Sequence, residues 1–413
     1  MIGIGVFTSL GFQVRDLPSG FTLLMLWVMG GVFALCGALS YAELATAFPR
    51  SGGEYNFLTR IYHRAVGFLA GWMSATVGFA APTALAAMAF GSYFAGAVPG
   101  APPLILALAV VWGIALIHLL GVRRAAEFQN VSTLIKVVLI LAFILAAIAV
   151  GVPQPIAFAP GRHDLGYLIS PAFAVSLAFV MYSYTGWSAA TYVAGEVHDP
   201  KRTLPLSIII AVVTVTVLYV ALNAVFLYTT PLVEIAGQID VAVISGQHIF
   251  GDVGGRIVGF VICVGLVSSI SAMMWVGPRV TMVMGEDHPL LAPFARRSRN
   301  GVPVTAILFQ LGMVTLLLLT QSFESVLEFI QFSLTVSSFL TVLGVMVLRY
   351  RAPDLPRPYR VWGYPVTPLL FLAISLFTMV HLVLARPVQS LAGVGMMLTG
   401  LVAYGLSRRF DRR

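Results

Sequence analysis

Apolar runs of about twenty residues recur along the whole chain, and a run of that length crosses roughly 30 Å of hydrocarbon at 1.5 Å per residue. They lie near residues 1–14, 20–47, 65–97, 103–121, 130–151 and 171–195, then near 205–229, 255–284, 303–321, 324–349, 365–385 and 389–407. Of 413 residues, 59% are hydrophobic and 10% charged, against about 25% charged in soluble domains. The chain therefore reads as an all-α polytopic membrane protein of twelve spans, the first of half length, with no stretch left for a soluble domain. Its formal charge of +8 does not indicate a nucleic-acid partner, because the basic residues are scattered over short loops. They report topology instead. If loops alternate sides, Arg15, Arg162, Arg256 and Arg386 fall on one side and the other 20 of the 24 Lys and Arg on the opposite one. By the positive-inside rule that second side is cytoplasmic, together with the basic tail Arg408 to Arg413.

Two places break the pattern of ordinary bundle helices. One is Gly3-Ile4-Gly5 in the opening run, the other Tyr182-Ser183-Tyr184-Thr185-Gly186-Trp187-Ser188 inside the sixth. Glycine costs about 1 kcal/mol relative to alanine in a helix interior, and hydroxyl side chains compete for backbone bonds. A break at mid-membrane frees amides and carbonyls that hydrocarbon cannot solvate, so they must line a cavity or bind something. Glycine-interrupted segments at matching places in two halves of a chain point to a transport site, and the first and sixth spans match if five spans repeat with inverted topology. Two tightly packed unbroken helices are the other reading of the same glycines. Cys36 and Cys263 lie in apolar runs and read as packing residues. His63, His118, His198, His288 and His381 lack a metal-ligand companion, so neither metal nor cofactor is expected. No nucleophile elbow or paired acid and base suggests an enzyme.

Several stretches together resemble the amino acid, polyamine and organocation transporter family, whose LeuT-type fold is two inverted five-helix repeats. "GIGVF" at Gly3 to Phe7 looks like the family's first-span element, and "SYAELATAFPRSGGEYNFL" from Ser40 to Leu58 is similar to its loop after the second span. "YTGWSAATYVAGEVHDPKRTLP" from Tyr184 to Pro205 resembles the family's sixth-span element, and Arg279 fits an arginine of the eighth. The resemblance implies repeats over 1–151 and 171–350 with two additional helices over 365–407. It implies that amides at Gly3, Ile4, Gly5 and Val6 receive a substrate carboxylate, as helix N-termini do. Backbone carbonyls of Tyr182, Ser183 and Thr185 would take the ammonium, and Gly186, Trp187 and Ser188 would complete the binding stretch. Tyr182 would be an aromatic gate, its alternative being plain core packing. Short, neutral Ser188 offers no carboxylate to a cationic side chain, which favours small or neutral amino acids.

Lys136 is the only lysine inside an apolar span. A charge there costs roughly 2.5–3.5 kcal/mol on insertion scales, so it either snorkels or has partners. The resemblance gives it the place that sodium fills in sodium-coupled relatives, with carbonyls near Ile2 and the hydroxyls of Ser268 and Ser269 as partners. Sodium-independent transport follows, by proton symport or by amino acid exchange. Glu43 and Glu196, beside arginine-rich loops, are either an internal gate of ion pairs or a solvated charged surface, where such pairs contribute about 0–1 kcal/mol. The expected partners are thus an amino acid, protons and the bilayer, in the plasma membrane with a cytoplasmic C-terminus. A non-transporting amino acid sensor is the competing function. From Gly5 to Val14 is about 15 Å, half a bilayer. The first span thus lacks its cytoplasmic half, and a longer form with further apolar residues upstream is expected.

Overall fold

The computed structural model describes residues 2–98, 100–320, 323–385 and 387–410, without the side chains of 122–126, 323–325, 327–331 and 410. Met1, Arg386 and the last three residues of the basic tail lie outside the described residues, as does the side chain of Arg123. Among the described residues the regular structure is helical, with no strand. In order they are α1 (Gly5–Gln13), α2 (Gly20–Ala47), α3 (Glu54–Ile61), α4 (Arg64–Met73), a π-helical turn at Ser74–Gly78, α5 (Ala80–Ala97), α6 (Pro103–Leu119) and α7 (Val122–Val150). Then come α8 (Asp164–Leu168), α9 (Pro171–Tyr184), α10 (Ala189–Tyr192), α11 (Pro200–Thr229), α12 (Leu232–Ile235) and α13 (Val241–Asp287). The last are α14 (Ala292–Ala295), α15 (Val304–Thr320), α16 (Phe323–Arg351), α17 (Val366–Ala385) and α18 (Pro387–Phe410).

Among the described residues eight helical stretches are long and apolar enough to cross a membrane, and α6, α9 and α15 are shorter apolar helices. With the half-length α1 they occupy the twelve expected runs. The main differences are at ends: α7 starts at Val122 and α11 at Pro200, earlier than hydropathy suggests, because polar and proline-bearing first turns extend a helix without adding apolar residues. Between α11 and the eighth apolar run lie α12 and the first part of α13, which turns at Gly251.

The outer faces are apolar. On α7, Val131, Leu134, Val138, Leu141, Leu145 and Ile148 are exposed at steps of three or four residues, a stripe wet by lipid tails rather than water. Inside, small residues set the helix spacing. A methyl group on Gly31 of α2 would meet Thr216 Cγ2 of α11 at 2.3 Å, so this pair packs as closely as backbones allow.

One polar contact locks the bundle. Glu43 of α2 is fully buried and receives Arg349 through both nitrogens, at 3.0 Å from Nε and 2.6 Å from Nη2. Arg357 Nε lies 3.5 Å away, and the backbone N–H of Val361 donates at 2.7 Å. The carboxylate thus ties α2 to the end of α16 and to the segment before α17. The solvated-surface reading of Glu43 is overturned by its burial. Removing one partner of a buried, hydrogen-bonded charge pair leaves the other uncompensated, at about 3–5 kcal/mol. Glu43→Ala should therefore lower unfolding stability in detergent by about that amount. Thermal and denaturant unfolding of purified protein measures it, and no loss would show that the clamp contributes little.

Candidate functional site

The half-helix α1 starts where the sequence loses its helix formers: Ile4 is its cap and Gly5 its first residue. The first amides of any helix have no intrahelical acceptor, so this end presents N–H groups inside the bundle. Opposite it α9 ends at Tyr184, Thr185 turns to extended backbone, and Gly186 takes φ +98° before α10 restarts at Ala189. The break expected in the sixth run is therefore present, and the start of α1 touches the end of α9 beside it. A Cβ on Gly5 would lie 2.3 Å from Ser183 Oγ and 2.7 Å from Ser183 Cα, so only glycine fits this crossing. Ser183 Oγ donates to Phe179 O at 2.9 Å and sits 3.0 Å from Ser9 Oγ of α1, joining the two helices by a hydroxyl pair. Gly3 is placed with its backbone at the Tyr219 hydroxyl.

Two of the three carbonyls expected to face an ammonium, those of Tyr182 and Ser183, are already engaged. Thr185 donates to Tyr182 O from its amide at 3.0 Å and its hydroxyl at 2.6 Å, while the Tyr219 hydroxyl donates to Ser183 O at 3.1 Å. A helix that ends at Tyr184 caps itself with the next threonine, a local solution that competes with a ligand.

A cavity of about 60 Å³ opens beside the break. Thr185, Gly186, Trp187 and Ser188 line it, with Phe33, Phe79, Pro82 and Met273 as apolar walls. Gly3, Ile4, Gly5, Tyr182 and Ser183 do not. Tyr182 is buried in the core instead, and the aromatic surface over the cavity comes from Phe33, Phe79, Trp187 and Tyr192. Trp187 is itself fixed edge-on to Tyr41, ring centroids 4.6 Å apart at 84°. The π-helical turn Ser74–Gly78 forms another wall, which sequence reading missed. Its signal was Pro82: without an N–H, proline cannot bond the Gly78 carbonyl four residues back, and the turn widens.

Lys136 is buried and points inward. Its Nζ donates to Ile2 O and to Ser269 Oγ, both at 2.8 Å, and Ser269 Oγ also donates to Ile2 O at 2.9 Å. Snorkelling is thereby overturned. Ser268, the other expected partner, points one residue further round α13 and meets Gln129 Nε2 at 3.2 Å and Thr133 Oγ1 at 3.4 Å. Glu196 is about two-fifths exposed and accepts from buried Arg279 at 3.2 Å, tying the segment after α10 to α13. At the same end Arg50 makes a two-nitrogen pair with Asp287, each contact 2.9 Å, and Tyr55 donates to Asp287 at 2.8 Å. The largest omission of the sequence reading is Glu54 of α3. It is buried and lines the cavity, although it stands in plain view in "SGGEY".

A family model for amino acid permeases matches residues 1–406. The chain belongs to the amino acid permease family. Over its full length it is 28% identical to the human cystine/glutamate transporter, covering 83% of that protein. It is also 28% identical to the human b(0,+)-type amino acid transporter 1 over 98% of this chain and 84% of the relative. To the serine/threonine exchanger SteT of Bacillus subtilis (strain 168) it is 26% identical, over 99% of this chain and 94% of the relative.

The crossing of the permease's two broken helices makes a sharp test. Gly5→Ala should destabilise by about 1–3 kcal/mol, as overpacking does. Adding Ser183→Gly, which removes two of the three nearest atoms, should recover most of that loss. Unfolding of the single and double variants reads this coupling directly. Additive losses would place the two residues apart.

Proposed function

We propose that the permease moves small or neutral amino acids across the plasma membrane by alternating access, and that the cavity at Thr185–Ser188 is its substrate site. The observation that carries this reading is the contact of the start of α1 with the interrupted helix α9, Gly5 against Ser183, beside that cavity. Unwound backbone at membrane depth is stable only where it lines such a space. Residues 1–151 and 171–350 act as two inverted repeats that rock against each other, and 365–407 supply the two additional helices. Hydroxyls of Thr185 and Ser188 and the walls Phe33, Phe79 and Met273 suit a short uncharged side chain. Relatives named for amino acid exchange and transport support the substrate class.

Lys136 carries the expectation of sodium independence. Its ammonium fills an oxygen-lined niche made by Ile2 and Ser269, where a free cation would otherwise bind. Arg50, Arg60, Arg64 and Arg408 border one cavity, which suits a cytoplasmic face holding the C-terminus. Ion pairs at that face, Glu196 with Arg279 and Arg50 with Asp287, are the internal gate.

Uptake of a labelled amino acid panel into proteoliposomes tests the reading. Small neutral amino acids should enter without sodium, driven by an inward acid gradient or by unlabelled amino acid inside. Dependence on sodium would remove the role given to Lys136. Binding without flux under every condition would leave a sensor.

A further inference from the structure

Two buried glutamates stand near the same end of the bundle, and their surroundings differ in kind. Glu43 is held between the guanidinium groups of Arg349 and Arg357. Glu54, 4% exposed, forms no ion pair among the described residues. It meets only hydroxyls: Tyr41 of α2, Ser337 of α16, and Ser338 of α16 at 3.3 Å. The remaining titratable neighbour is Tyr192 of α10, whose hydroxyl is 3.1 Å from Ser74 Oγ of the π-helical turn. Glu54 also lines the cavity together with Ser338, Thr185 and Ser188.

Hydroxyl partners suit a group that must exist in two protonation states. A hydroxyl donates to a carboxylate and, by rotating, accepts from the protonated acid, so neither state strands a polar atom. An arginine cannot do this. We propose that Glu54 is the proton-binding group of the transport cycle, reached through the substrate cavity; this rests on the transport reading of that cavity. A proton from the aqueous side adds to one carboxylate oxygen and leaves from it, with no other bond made or broken. Protonation turns Glu54 from a pure acceptor into a donor, which weakens its grip on Ser337 and Ser338 and so loosens α3 from α16 beside the substrate. Glu54 lies outside the spanning helices. Burial pushes its carboxyl up from the ordinary value, while the hydroxyls of Ser337, Tyr41 and Ser338 pull part of the way back. The sign follows: acid on the loading side protonates Glu54 and should speed entry, and rising pH should slow it.

The test has two arms on the full chain in liposomes. In pH-difference infrared spectra the wild type should show the carbonyl stretch of a protonated carboxylic acid that titrates, and Glu54→Gln should abolish it while Glu43→Gln does not. In transport, labelled L-serine and an entrapped pH dye are followed together. Wild-type uptake should rise by up to about tenfold per unit of acidification while Glu54 is ionised. Glu54→Gln should lose both the pH response of serine entry and the coupled proton entry. Glu54→Asp should restore the pH response in part. A Glu54→Gln variant that still carries protons, or a wild type that exchanges serine without moving any, overturns the proposal. Loss of serine exchange in Glu54→Gln with its melting temperature unchanged also overturns it, since Glu54 would then hold the substrate. If the wild type moves no serine at all, the transport reading fails, and the infrared arm alone decides whether Glu54 titrates.

Discussion

A backbone that leaves the helix inside a bilayer exposes amides and carbonyls that hydrocarbon cannot solvate, and the rest of this structure depends on where those groups go. At the end of α9 they are taken up locally: Thr185 covers the Tyr182 carbonyl and Tyr219 covers that of Ser183. At the start of α1 the Gly3 backbone meets Tyr219, and the Ile2 carbonyl is held by Lys136 and Ser269. One tyrosine on α11 therefore serves both breaks, and one lysine on α7 fixes the entry to α1. The close pass of Gly5 over Ser183 then sets how far apart the two broken helices can lie.

The charged groups of the bundle divide by what surrounds them. Glu43 is fully buried between guanidinium groups and a backbone amide. Glu54 is buried among hydroxyls. Glu196 and Asp287 sit partly exposed at the rim, paired with buried Arg279 and part-exposed Arg50. The buried tie joins α2 to the end of α16, and the rim pairs join Glu196 to Arg279 and Arg50 to Asp287.

Most of the fold was legible because hydrocarbon imposes a length on each apolar run, so twelve runs located twelve segments. The break after α9 and the non-helical entry to α1 were legible from glycine and hydroxyl clusters, whereas the Lys136 contacts with Ile2 and Ser269 were what the family resemblance implied. What the sequence hid were side-chain directions. Ser268 and Ser269 are adjacent, and only the rotation of α13 decides which meets the lysine. Tyr182 and Met181 are likewise adjacent, and it is Met181 that lines the cavity. Glu54 begins a short amphipathic helix that hydropathy reads as loop, so its burial depends on α2, α10 and α16 folding over it, contacts separated by up to 284 residues. The π-helical turn needed the consequence of Pro82 to be followed four residues back.

The central claim is that the interrupted helices frame the site where an amino acid binds. The most direct measurement is a density map of the permease in lipid nanodiscs saturated with L-serine. The account predicts two interruptions, at Gly5 and at Thr185–Ser188, and added density in the cavity between Thr185, Ser188 and Glu54. Continuous helices through both segments, or serine bound at a place that touches neither, would contradict it.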